Sequence, residues 1–141
     1  MEKLLISACL AGENCKYSGG NNKLSDDVLT KLRCLYELVP VCPERDGGLP
    51  TPRASSERQG DRVVSVKGED VTAQFLSGAG AALQKAQSEG IMKALLKERS
   101  PSCGSSLIYD GSFSGRTIPG EGVTAELLRA NGIKVFSEFD L

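Results

Sequence analysis

The sequence contains no histidine. That absence excludes the Ser-His-Asp and Cys-His arrangements of nucleophilic catalysis, the histidine-containing zinc sites and imidazole acid–base chemistry. Proton transfer in this chain has to run through a carboxylate, lysine, tyrosine, cysteine or water. No apolar run is long enough to span a bilayer. Met1-Glu2-Lys3 followed by five apolar or small residues is too short for a secretory signal, so a cytoplasmic protein with no membrane partner is expected. No basic block stands out either: 17 Lys and Arg face 18 Asp and Glu, for a net charge of −1. Binding to a nucleic-acid backbone is therefore not expected. There is no internal repeat and no linker-like stretch.

What is present is an ordinary soluble composition, 40% hydrophobic and 25% charged, over 141 residues. A single domain spanning 1–141 is expected. A chain of this size buries about two-thirds of its unfolded surface and needs no staples to fold. Its five cysteines, read in a reducing compartment, point to metal binding or catalysis rather than disulfides.

Three short apolar runs each lead to a cysteine. Leu4 to Ala8 leads to Cys9, and Leu38 to Val41 leads to Cys42. Ile91 to Leu96 leads to the loop Lys97-Glu98-Arg99-Ser100-Pro101-Ser102-Cys103-Gly104. Between the runs lie helix signals. Ser25 with Asp26 and Asp27 suits a helix start, and Val28, Leu29, Leu32 and Leu35 follow at helical spacing. Asp70 is a candidate cap for a second helix, with Val71, Phe75, Ala79, Ala82 and Ala86 on one face and Gly90 at its end. Gly78 and Gly80 weaken this helix but allow close packing on a sheet. Glu121 to Ala130 reads as a third helix, and Ile133 to Phe136 as a last strand before a polar end. Asp110-Gly111 predicts a two-residue hairpin within Leu107 to Phe113. Residues 43–60 read as a long loop, and 62–66 as a short extra strand.

Alternating strands and helices predict a three-layer α/β fold with a parallel sheet. Pro40 cannot donate to a ladder and places its strand at an edge. Right-handed crossovers then favour the order 2-1-3-4, as in flavodoxin-like and Rossmann-like folds, with a small β-hairpin to one side. In that order the strand ends carrying Cys42, Cys9 and Cys103 are adjacent, at the switch point where such sheets bind ligands.

Thiolates are soft ligands for iron–sulfur clusters and zinc. A cubane cluster normally takes four cysteines, so three would leave one iron open. The alternative is that the thiols are small buried hydrophobes. That alternative is preferred for Cys34, on an apolar helix face, whereas ligation is preferred for Cys9, Cys42 and Cys103. Cys15 stays open as a fourth ligand, a reserve thiol or a packing residue. Glu44 lies two residues past Cys42 and is placed to activate water. Lys97 and Glu98 read equally as a solvated loop pair. Ser100 and Ser102 offer hydroxyls to a substrate. Arg53 and Arg99 can hold an anion or ring oxygen, with surface positions equally open, and Tyr17 can stack on a flat ligand or serve as a loop aromatic covering the sheet end.

Three long segments, in order, resemble a family once catalogued as a domain of unknown function, which includes the bacterial thiouracil desulfidases. They are Ser7 to Gly12 with Cys15 to Gly20; Val41-Cys42-Pro43-Glu44 with Gly47 to Arg53; and Lys97 to Gly104 with Tyr109-Asp110-Gly111 and Gly120 to Thr124. The resemblance implies a [4Fe-4S] cluster on Cys9, Cys42 and Cys103, with Glu44 as the acid–base group and Ser100 nearby. The implied reaction is non-redox removal of sulfur from a small thiolated pyrimidine, whose sulfur meets the open iron while water attacks the carbon. Ala11, Ser18, Arg45-Asp46 and Ala54-Ser55-Ser56 depart from the family pattern. They are expected at the pocket rim, where they bear on substrate identity. Two other classes of function compete: a structural or storage metal-thiolate protein, and a persulfide carrier using Cys103 beside Lys97 and Arg99.

Overall fold

The computed structural model describes residues 1–141. Its centre is a four-stranded parallel sheet made of β1 (Glu2–Ser7), β2 (Tyr36–Val41), β5 (Lys93–Leu96) and β8 (Lys134–Ser137), in the order β2-β1-β5-β8. This is the expected order, with the Pro40 strand at the edge. Register follows the apolar runs: Ser7 lies beside Val41, Ile6 beside Leu95, and Leu96 beside Ser137.

Side-chain alternation sends each strand's residues to two cores. Leu4, Ile6 and Leu95 pack on Leu29 and Leu32 of α1 (Asp26–Leu35). Leu5, Val41, Ala94, Leu96 and Val135 pack on the other face. There they meet Ala86 of α3 (Thr72–Ser88) and Ala125 and Leu128 of α4 (Val123–Ala130). Each fully buried leucine contributes roughly 1.5–3 kcal/mol. Ser25 caps α1, its Oγ accepting from Val28 N at 3.3 Å. Asp70 Oδ1 accepts from Thr72 N at 2.9 Å at the start of α3.

Four local expectations change. Residues 43–60 hold a short helix, α2 (Pro43–Asp46), and a strand, β3 (Ser56–Gln59), which pairs antiparallel with β4 (Arg62–Ser65). The expected small hairpin forms, β6 (Leu107–Tyr109) pairing antiparallel with β7 (Thr117–Pro119), but a longer loop replaces the two-residue Asp110-Gly111 turn. Gly111 is drawn away by β3, since its N–H donates to Glu57 Oε1 and its carbonyl accepts from Gln59 Nε2. The C-terminal residues form a 3-10 turn, Glu138–Asp140, closed by reciprocal bonds between Ser137 and Asp140. Gly78 serves a helix rather than the sheet: a Cβ there would overlap the carbonyl of Pro43, and one at Gly47 would overlap that of Gln74. The two glycines let α2, and with it Cys42 and Glu44, lie against α3.

Candidate metal centre and active site

The three cysteine-bearing loops leave the sheet side by side and are tied together by short bonds. Ala8 N donates to Val41 O at 2.7 Å, and Ser7 Oγ accepts from Lys97 N at 2.9 Å. Cys9 is half-buried, and Cys15, Cys42 and Cys103 are buried. Cys15 and Cys42 pack together, with Cys9 against them, and Cys42 Sγ donates to the carbonyl of Cys15 at 3.7 Å.

The Cys103 loop is built from two sides. Ser100 Oγ accepts from Ser102 N at 3.1 Å and from Cys103 N at 3.0 Å. The free amides at the start of α4 supply the rest: Val123 N donates to Pro101 O at 2.9 Å and Thr124 N to Ser102 O at 2.8 Å. A Cβ on Gly122 would collide with the backbone of Ser102 and Cys103. The segment Gly120 to Thr124 therefore acts through the Cys103 loop.

All three thiols, with Cys15, line one cavity of about 570 Å³. Tyr17, Glu44, Arg53, Lys97, Ser100 and Phe113 line it as well. Glu44 Oε1 accepts from Arg53 Nε at 3.1 Å, and its Oε2 has no protein hydrogen bond. Burial pushes the Glu44 carboxyl up, and Arg53 partly offsets this. Arg53 is nearly spent on the protein itself, donating also to Pro50 O, to Thr51 Oγ1 and, at 2.9 Å, to the carbonyl of Cys15. It joins three loops of the site. Tyr17 is half-exposed at the cavity wall.

Other sequence candidates land elsewhere. Ser102 is buried and outside the cavity wall, its hydroxyl 2.7 Å from that of Thr124. Cys34 is exposed on α1 and packs in no core, because the helix turns its Leu29–Leu32 stripe, not Cys34, to the sheet. Glu98 is not solvated but 3% exposed. Its Oε1 accepts from the amides of Ser105, Ser106 and Leu107 at 2.8, 3.0 and 3.1 Å. Its Oε2 accepts from the hydroxyls of Ser105 and Ser106 at 2.8 and 3.0 Å. Burial opposes its ionisation, but these donors outweigh burial and hold the carboxyl down to about 2. Lys97 Nζ lies 2.9 Å from Glu138 Oε2. Glu138 and Glu57 have no signal in the sequence: each sits far along the chain from what it holds.

The family model for 2-thiouracil desulfurases matches residues 4–140. The chain belongs to the 2-thiouracil desulfurase family. The uncharacterized protein YbbK of Bacillus subtilis (strain 168) is 40% identical over 148 residues, covering 98% of this chain and 97% of YbbK. The solved structure of the [4Fe-4S]-dependent thiouracil desulfidase TudS superposes with a TM-score of 0.96 at 49% identity, covering 100% of this chain and 93% of that one.

The donor set of this desulfurase-family chain suits a cluster rather than a single ion. No three of its cysteine and acidic side chains stand close enough together to hold one metal ion. The thiols instead surround a cavity, and every donor among them is soft. Burial pushes the Cys103 thiol up to about 12, with the hydroxyls of Ser7 and Ser102 pulling the other way. Burial, then the neighbouring Cys42, pushes Cys15 up to about 12. Thiols buried in this way gain most from a bound cation, which favours the thiolate. The residues fit a cluster. No helix is long and apolar enough to cross a membrane.

Proposed function

We propose that Cys9, Cys42 and Cys103 hold a [4Fe-4S] cluster and that the chain removes sulfur from a small thiolated pyrimidine such as thiouracil, without net redox change. The observation that carries this reading is the set of three buried or half-buried thiols that follow adjacent strand ends, around one cavity shared with the Glu44–Arg53 pair. The 49% identity to TudS supports it. Held by three thiolates, such a cluster supplies one open iron, a Lewis acid suited to a soft sulfur atom.

The protein's part is positioning and proton movement. Glu44 takes a proton from the attacking water at Oε2, the oxygen that Arg53 leaves unbonded. Arg53 fixes the carboxylate's orientation and offsets part of the burial that pushes its carboxyl up. Ser100, on the cavity wall, holds the Cys103 amide and places that thiol. Tyr17 offers a ring face to the base.

The storage alternative on a single zinc ion is not supported, since no three donors converge on one ion. The carrier alternative needs an accessible, acidic thiol, and Cys103 is 5% exposed. The test is anaerobic reconstitution, iron and sulfide counting, a visible spectrum, and assay of sulfide release from 2-thiouracil with no electron donor. A loaded protein that releases no sulfide from any thiolated base refutes the enzyme reading.

A further inference from the structure

We propose that Phe113, on the β6–β7 loop, stacks on the flat ring of the substrate, and that Glu57 is the residue that positions it. This rests on the reading above that the cavity takes a thiolated pyrimidine.

Phe113 lines the cavity, and its backbone sits at φ +57. Bulky L residues rarely adopt this left-handed region, and they stay there only where the surroundings over-determine it. Here they do. Glu57 Oε1 accepts from Gly111 N at 2.9 Å and from Phe113 N at 3.1 Å. Gln59 Nε2 donates to Gly111 O at 2.8 Å, and Asp110 Oδ1 accepts from Ser112 N at 2.9 Å.

Glu57 is only 9% exposed, and burying a carboxylate is costly unless it is paired or hydrogen-bonded. Yet it is spent on two amides of a surface loop. That loop brings little core packing: Ser112 and residues 114–117 are exposed, and so is all of β7. A glycine at position 113 would form the same turn without strain. The structure thus places an aromatic ring at one point of the cavity wall against the local backbone preference.

The distribution of aromatics agrees. The chain has three Tyr, four Phe and no Trp. Tyr17 from one segment, and Tyr109 and Phe113 from another, all line this cavity. Aromatic faces hold a nucleobase by stacking, largely irrespective of its substituents.

The test uses the cluster-loaded protein and 2-thiouracil. Phe113→Ala is expected to raise KM about tenfold, the order found on removing one base–aromatic stack, with the loss falling on KM rather than kcat. Phe113→Tyr is expected to restore it. Phe113→Gly, which suits φ +57, should raise KM equally while Tm holds or rises; a purely structural phenyl ring would give the reverse pairing. Glu57→Ala should also raise KM, and the Glu57→Ala/Phe113→Ala double variant should be no worse than Phe113→Ala alone. Phe113→Trp introduces the only tryptophan, and its fluorescence should be quenched saturably by uracil. A KM within twofold of wild type in Phe113→Ala, or an indole signal unmoved by uracil, overturns the proposal. If the wild-type protein itself releases no sulfide, the desulfuration reading fails separately, and the uracil titration still decides whether a ring stacks at position 113.

Discussion

Glu98→Gln is expected to separate a structural carboxylate from a catalytic one. Glu98 is the hub of the loop that carries Cys103, accepting from three backbone amides and two serine hydroxyls. Its carboxyl is held at about 2, against an ordinary 4.5. The folded value lies below the unfolded one, so the stabilisation is fully present above pH ~4.5 and is lost as pH falls toward ~2. That interval corresponds to about 3 kcal/mol at neutral pH, falling to roughly half or less by pH 3. The amide of glutamine mimics the protonated carboxyl: it keeps an acceptor for the backbone amides and loses the charge. Urea unfolding of the cluster-free wild type and variant, from pH 7 down to pH 3, measures the effect. The gap should be about 3 kcal/mol at pH 7 and should narrow steadily on acidification. A variant less than about 1 kcal/mol weaker at pH 7, or a gap that does not change with pH, would refute the assignment of Glu98 as a charged structural hub.

Three further outcomes are expected. Glu44→Gln should keep the cluster spectrum but lose on the order of a hundredfold or more in turnover, since it removes the proposed base and keeps the shape; wild-type turnover in this variant would reject the role. Alanine at Cys9, Cys42 or Cys103 should abolish both spectrum and sulfide release, whereas Cys34→Ala, on the exposed side of α1, should change neither, as iron counting and absorbance will show. The helix glycines should differ in sign. Gly80→Ala meets nothing within 4 Å and should stabilise by about 0.5–1 kcal/mol through helix propensity. Gly78→Ala drives a Cβ into Pro43, so it should destabilise by roughly 1–3 kcal/mol and lower iron content, because α2 starts directly after Cys42 and carries Glu44. Thermal melts and metal analysis check both.

The order of the sheet was legible in the sequence because its causes are local. Apolar runs of strand length, the helix cap at Ser25, and Pro40 at an edge each act within a few residues, and right-handed crossovers leave few ways to join them. Convergence of Cys9, Cys42 and Cys103 followed from that topology alone. The tertiary structure decided whatever depends on partners distant along the chain. Asp110-Gly111 is a hairpin signal in isolation, but Glu57 and Gln59 take both backbone groups of Gly111 and open the turn into a loop. Glu98 reads as one more charge in a polar loop until Ser105, Ser106 and Leu107 fold back onto it. Cys34 sits among apolar neighbours in sequence, yet one helical step turns it to solvent. Local pattern carries the period and the breaks of the chain; which buried carboxylate meets which amide is settled only when loops remote in sequence share one low-dielectric space.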